Sequence, residues 1–264
     1  MPRRTAYDPQ PKRVPTRANP VMAHLRVPPA DAVVEWHRHT WGQLVCPRIG
    51  SIRVRARGMM WIVPLWRAVW IPPGIDHQVT MLGQVEFHAL YIEPGASPLP
   101  PDACSVIEVS DLIRVLTESL AADSQPSALR RTLAMQLLLE EIRQAPTLPL
   151  GLPLPSERRL RTLCTAMMEE PGSSRTLREW ARVVGASDRT LARLFRSELH
   201  TSFAIWRRQL RLARAIDLIG RGMPLHRIAD ELGYANAPAF STMFRHALGF
   251  PPSRLAGASG ARRA

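Results

Sequence analysis

The chain contains no run of 18 uncharged apolar residues; GMMWIVPLW (58–66) is broken by Pro64 and is far too short to span a bilayer. No apolar segment follows the basic, proline-rich start MPRRTAYDPQPKRVPTRANP, so no secretory leader is expected. Cysteine is scarce: Cys46, Cys104 and Cys164 are odd in number and widely spaced. They fit a reducing, cytoplasmic setting better than a disulfide framework, and neither C-x-x-C redox nor zinc spacing is present. Lysine is nearly absent, so almost all positive charge is arginine, which suits bidentate phosphate and guanine contacts.

What the 264 residues do have is charge in one place. The net charge is +13, and residues 153–264 hold 19 Arg against 9 Asp or Glu, a balance of +10. Residues 1–20 contribute +4 and everything between sums to −1. A near-neutral body with one strongly basic end points to a polyanionic partner for that end.

The patterning divides the chain. Residues 1–20 read as a disordered basic arm, with too few apolar side chains to offset the cost of ordering. Residues 21–96 alternate in short β-like segments, AVVEW, GQLVCP, SIRVRARG, RAVWIPPG, HQVTML and VEFHALYI, which favours an antiparallel barrel or sandwich. Residues 97–152 turn helical, with Ser110 and Ser127 as expected N-caps and a proline-rich linker, APTLPLGLPLPS, at the end. Residues 153–256 read as all helix, and 257–264 as a tail.

A repeat lies in the basic end. Leu177, Ala181 and Gly185 align with Leu225, Ala229 and Gly233; Ser187, Leu191, Phe195 and Leu199 then align with Asn236, Phe240, Phe244 and Leu248. The turn is one residue longer in the second copy. Each copy predicts a short helix, a glycine turn, a Ser or Asn N-cap, and an amphipathic second helix: helix-turn-helix geometry, twice. Between them TSFAIWRRQLRLARAIDLI (201–219) predicts a rod of roughly 28 Å, a little under one turn of B-DNA at about 34 Å.

These segments, and above all IADELGYANAPAFSTMFRHALGFPPSRL, resemble the AraC/XylS family of transcriptional regulators over residues 156–256. In the first recognition helix Arg189, Thr190, Ala192, Arg193 and Arg196 are left outward behind the Ser187 cap, and the resemblance puts Arg189, Ala192 and Arg193 at base-reading positions. The second departs from the family pattern: Ala237, Pro238, Ser241 and Thr242 follow Asn236 where relatives carry Gln or Arg. Its expected contribution is phosphate positioning through Arg245 and His246.

In WHRHTWGQLV, His37 and His39 lie two apart and so share a strand face; Gln43 follows, then Gly50, and later Pro72, Gly74 and His77. This spacing resembles the two motifs of the cupin barrel, whose metal ligands would fall on His37, His39, Gln43 and His77. Gln43 stands where the family has Glu, so the set holds three imidazoles and no anionic ligand. Three readings stand side by side: an effector pocket built on these side chains with Trp41 and Trp70, with or without a divalent metal on the histidines; a structural cluster; and catalysis.

The expected whole is a two-domain α+β protein, with an N-terminal cupin- or jelly-roll-like barrel and helical connector, then a double helix-turn-helix domain. The expected function is a non-enzymatic, sequence-specific transcription regulator, an activator, with double-stranded DNA, a small-molecule effector, RNA polymerase and a second copy of itself as partners and no membrane. Leucine-rich faces in the connector (Leu112, Val115, Leu116; Leu133, Leu137, Leu138) are candidates for dimerisation or for packing on their own barrel. The alternatives are a metal-dependent cupin enzyme fused to a DNA-binding domain, and a non-specific nucleic-acid binder.

Overall fold

The computed structural model describes residues 6–7, 11, 13–122, 127–148 and 150–255, so the tail at 257–264 lies outside the described residues. The chain forms two compact units, one running to Arg57 and over Trp61–Pro149, the other taking Gly58–Met60 and the residues from Leu150 onward.

The first unit is an antiparallel sheet with two helices. Its strands are β1 (Val21–Arg26), β2 (Val33–His37), β3 (Gly42–Ala56), β4 (Met59–Val63), β5 (Arg67–Ile71), β6 (His77–Ile92), β7 (Ser105–Glu108) and, after the helices, β8 (Thr147–Leu148). Hydrogen bonding follows the order β1-β6-β3-β5-β7-β8, with β2 on β6 and β4 on β3; among the described residues this path does not close into a ring. The expected jelly-roll-like sheet is therefore present as an open one. GQLVCP and SIRVRARG form one strand rather than two, as do HQVTML and VEFHALYI. Register shifts around Ile49 carry β3 past Pro47, and Gly50, at φ +72°, lets its backbone pass the Gln84 carbonyl.

Helices α1 (Asp111–Ala121) and α2 (Ala128–Gln144) begin where Ser110 and Ser127 accept hydrogen bonds from Ile113 N and Arg130 N. Ile113, Leu120, Met135, Leu138 and Ile142 pack with Leu44, Trp70, Leu90 and Ile92 of the sheet, and Leu116 joins them. The connector is thus part of the first unit. Leu112, Val115, Leu129, Leu133 and Leu137 are left exposed on the other side.

In the second unit, β9 (Gly151–Pro153) falls within the expected linker. Six helices follow: α3 (Arg158–Glu169), α4 (Leu177–Val183), α5 (Asp188–Leu199), α6 (Phe203–Gly220), α7 (Leu225–Glu231) and α8 (Ala237–Leu248). Trp180, Phe195 and Trp206 centre the first half of its core, with Leu160, Leu163 and Met167 of α3 around them. The Trp206 indole N–H donates to the Pro153 carbonyl oxygen at 2.8 Å, so a fully buried tryptophan leaves no polar atom unmatched.

Candidate functional site

His37 ends β2 and pairs across the ladder with His77, the first residue of β6. His39 lies just beyond the strand, where its backbone carbonyl accepts from Gly74 N at 2.8 Å. The three rings come together at centroid separations of 4.1 Å (His37–His77), 5.1 Å (His39–His77) and 5.9 Å (His37–His39). One ring nitrogen of each lies within 4.8 Å of the others.

Every Nδ1 of the trio faces a backbone carbonyl: Glu35 for His37 at 2.8 Å, Trp41 for His39 at 2.7 Å, and Ile75 for His77 at 2.8 Å. A nitrogen so placed carries the proton, which leaves each Nε2 with a lone pair. Burial pushes His77 down to about 3 and lowers His39 as well, so both imidazoles are neutral at pH 7. The Nε2 of His77 is buried with no hydrogen-bond partner among the described residues. That of His39 faces Gln43 Oε1 at 2.9 Å, two acceptors in contact. Turning the amide so that its NH₂ donates satisfies the pair; so does a cation that both atoms ligate. This donor set, three imidazoles and an amide oxygen, fits a divalent transition metal.

Beside the cluster lies a cavity of about 380 Å³, lined by Val33, Val34, Trp36, His37, His39, Trp41, Gln43 and Tyr91, among others. Trp41 stacks on His39 at 5.0 Å with the planes 6° apart, and meets Tyr91 edge-on at 6.0 Å. His77 sits behind this wall, fully buried. Trp70 is a correction: it does not line the cavity. It pairs with Leu44 across the β3–β5 ladder and so points to the face opposite Gln43, where it is fully buried. Its indole lies across Gly42, where a Cβ would collide with the ring at Cη2, and donates to the Pro100 carbonyl at 3.2 Å.

The N-terminal arm also differs from expectation within its described residues. Ala6 bridges Val33, Tyr7 N donates to the Val33 carbonyl at 2.9 Å, and Ala6, Tyr7 and Pro11 line the cavity. The available signal was Tyr7, the one aromatic residue among the first 20.

In the second unit each repeat folds as helix, turn, helix, with Gly185 and Gly233 at φ +67° and +70° in the turns. Thr176 and Glu179 close a capping box on α4. Ser187 Oγ accepts from Thr190 N at 3.0 Å and bonds Thr190 Oγ1 at 2.8 Å, while Asn236 Oδ1 accepts from Ala239 N at 2.9 Å. Leu191, Phe195 and Leu199 of α5 are buried, as are Phe240, Phe244 and Leu248 of α8. Arg189, Arg193 and Arg196 stand exposed on α5, with Ala192 half-buried between them; Thr242, Arg245 and His246 are exposed on α8, with Ser241 half-buried. The α6 rod has 18 residues, about 27 Å at 1.5 Å per residue.

A family described as a helix-turn-helix domain matches residues 180–257. The HTH-type transcriptional regulator NimR of Escherichia coli K12 is 35% identical over 221 residues, covering 83% of this chain and 80% of that one. RipA of Corynebacterium glutamicum, another HTH-type transcriptional regulator, is 31% identical over 101 residues, covering 38% of this chain and 30% of its own. ToxT of Vibrio cholerae aligns over 90% of this chain and 98% of its own at 10% identity, with a TM-score of 0.39. The likeness to NimR runs through both units, not the helix-turn-helix repeats alone. On the likeness to NimR, the chain belongs to the AraC/XylS family of helix-turn-helix transcriptional regulators.

Proposed function

We propose that α5 and α8 read double-stranded DNA, that the cavity beside His37 and His39 holds a small-molecule effector, and that the regulator acts in the cytoplasm as a homodimer that activates RNA polymerase at its promoters. The observation that carries the DNA assignment is the outward row Arg189, Arg193 and Arg196 on a helix whose other face is locked into the core by Leu191, Phe195 and Leu199. Arginine forks reach guanine O6 and N7 in the major groove, while Arg245 and the amides at the start of α8 suit phosphate.

The cavity favours an effector with a flat apolar part, because Trp36, Trp41 and Tyr91 offer ring surface and only a few polar groups converge there. His37, His39 and His77, with Gln43 as the fourth donor, would hold a divalent metal. Such an ion, when bound, supplies an electropositive anchor for a polar group of the effector.

The test is binding to a promoter fragment at about 150 mM salt against excess bulk DNA, where specific complexes persist by roughly a thousandfold. Arg189→Ala and Arg193→Ala should each cost about 1–3 kcal/mol of discrimination between cognate and base-substituted sites. If neither variant changes occupancy or base preference, α5 is not the reader.

A further inference from the structure

The covalent link between the two helix-turn-helix repeats is α6, and the loop that follows it turns at Gly222, φ +78°, before α7 begins. A rod ending in a glycine loop leaves the second repeat free to pivot. Three sets of contacts remove that freedom. Arg214 of α6 reaches Glu231 of α7 through Nε at 3.1 Å and Nη2 at 2.8 Å. Its Nη1 donates to Asp217 at 2.7 Å, a carboxylate only 3% exposed that also accepts from Arg221 at 2.8 Å.

Arg211 stands one turn earlier on the same side of α6. Its guanidinium donates to the carbonyl oxygens of Pro171 (3.0 Å), Gly172 (3.4 Å) and Ser173 (3.2 Å), the loop between α3 and α4 that leads into the first repeat. The same guanidinium lies over the ring of Tyr234, in the turn of the second repeat, 5.5 Å from its centroid. Alongside, the two loops touch backbone to backbone. A Cβ on Gly172 would fall 3.1 Å from the Glu231 carbonyl carbon and closer still to its oxygen, and one on Gly233 would meet the Gly172 carbonyl. Neither loop has room for a side chain at that crossing.

We propose that Arg211 and the Gly172–Gly233 crossing are a positioning device that fixes the spacing and angle between the two reading helices, so that the protein accepts its two half-sites at one separation only. The proposal rests on the reading of α5 and α8 as DNA readers. A guanidinium is needed because three carbonyls in an arc and an aromatic face require a planar fork; an ammonium is a point charge. Each base pair inserted between the half-sites rotates the second by about 34° and moves it by about 3.4 Å, which a rigid pair of readers does not follow.

The experiment starts from a random-sequence duplex pool selected with the full-length wild-type chain, followed by a series of the selected site with one or two base pairs inserted or deleted between its halves. Wild type should show a sharp optimum. Arg211→Lys, Tyr234→Ala and Gly172→Ala should each lose roughly tenfold in affinity at the native spacing, as two tethered readers come to act more independently. They should show a flatter spacing profile with the base preferences of each half unchanged. Gly172→Ala is the cleanest variant, since its φ is not in the left-handed region and alanine acts only through the crossing. Variants with wild-type melting curves and a wild-type spacing profile would overturn the proposal, as would an equal loss at every spacing. A pool that yields no preferred sequence would instead overturn the DNA-reading assignment, a result distinct from a selected site whose spacing profile no variant alters.

Discussion

His39 is held at both ring nitrogens, by a backbone carbonyl and by Gln43. Because a carboxylate holds a divalent cation more strongly than an amide oxygen, Gln43→Glu should raise Zn²⁺ or Ni²⁺ affinity at the proposed site by about tenfold or more, while His39→Ala and His77→Ala bring metal content to background. Competition against a chromophoric chelator measures both; equal affinity of Gln43→Glu and wild type would remove residue 43 as a ligand. Elsewhere in the unit His88 is 4% exposed, and burial first, then Arg48, pushes it down to about 4 from an ordinary 6.5, with Glu118 opposing. The folded protein keeps this ring neutral where the unfolded chain already takes up a proton. Stability is therefore complete above the unfolded value and declines as pH falls from about 6.5 toward 4, the same direction as for His77. Melting temperatures at pH 7 and pH 5 should show the drop, and His88→Leu should reduce it; an identical drop in the variant would assign the sensitivity to other groups.

Among the elements, those with internal repetition were the most legible. The glycine turns, the Ser187 and Asn236 caps and the buried positions of α5 and α8 all follow from one alignment of 177–199 with 225–248, because helix period and capping are local properties. Strand continuity was not legible: Pro47 and Gly83 look like breaks, yet long-range pairing, with register shifts around Ile49, carries β3 and β6 past them. The same long-range register decided Trp70, whose face depends on its partner Leu44 and not on its neighbours in sequence. Arg211 escaped notice because its three acceptors are backbone atoms about 40 residues away, which no side-chain pattern records. On α2 the stripe Leu129, Leu133 and Leu137 faces away from the sheet that Met135, Leu138 and Ile142 pack against. If this stripe pairs two copies, Leu133→Glu with Leu137→Glu should convert a sedimenting dimer to a monomer with little change in melting temperature. A wild-type chain that sediments as a monomer would end that reading.

For the molecule as a whole, the two helices proposed as readers are unequal. The α5 helix exposes three arginines, whereas the first turns of α8 offer Ala237, Pro238, Ser241 and Thr242, with Arg245 and His246 further along. Base preference in a selected site should be sharp in the half under α5 and shallow in the half under α8. Arg245→Ala should weaken binding evenly across sequences and lower the salt slope by about one. Equal information in both halves would contradict this asymmetry.

The sheet of the first unit is one backbone thick between two very different neighbourhoods. Gln43 and Tyr91 border the cavity, while Leu44, Leu90 and Ile92, adjacent to them on the same strands, sit in the core beneath α1 and α2. A guest that displaced the wall would need only a single peptide link to reach the floor on which the leucine-bearing helices stand. News of occupancy has only the width of a ribbon to cross.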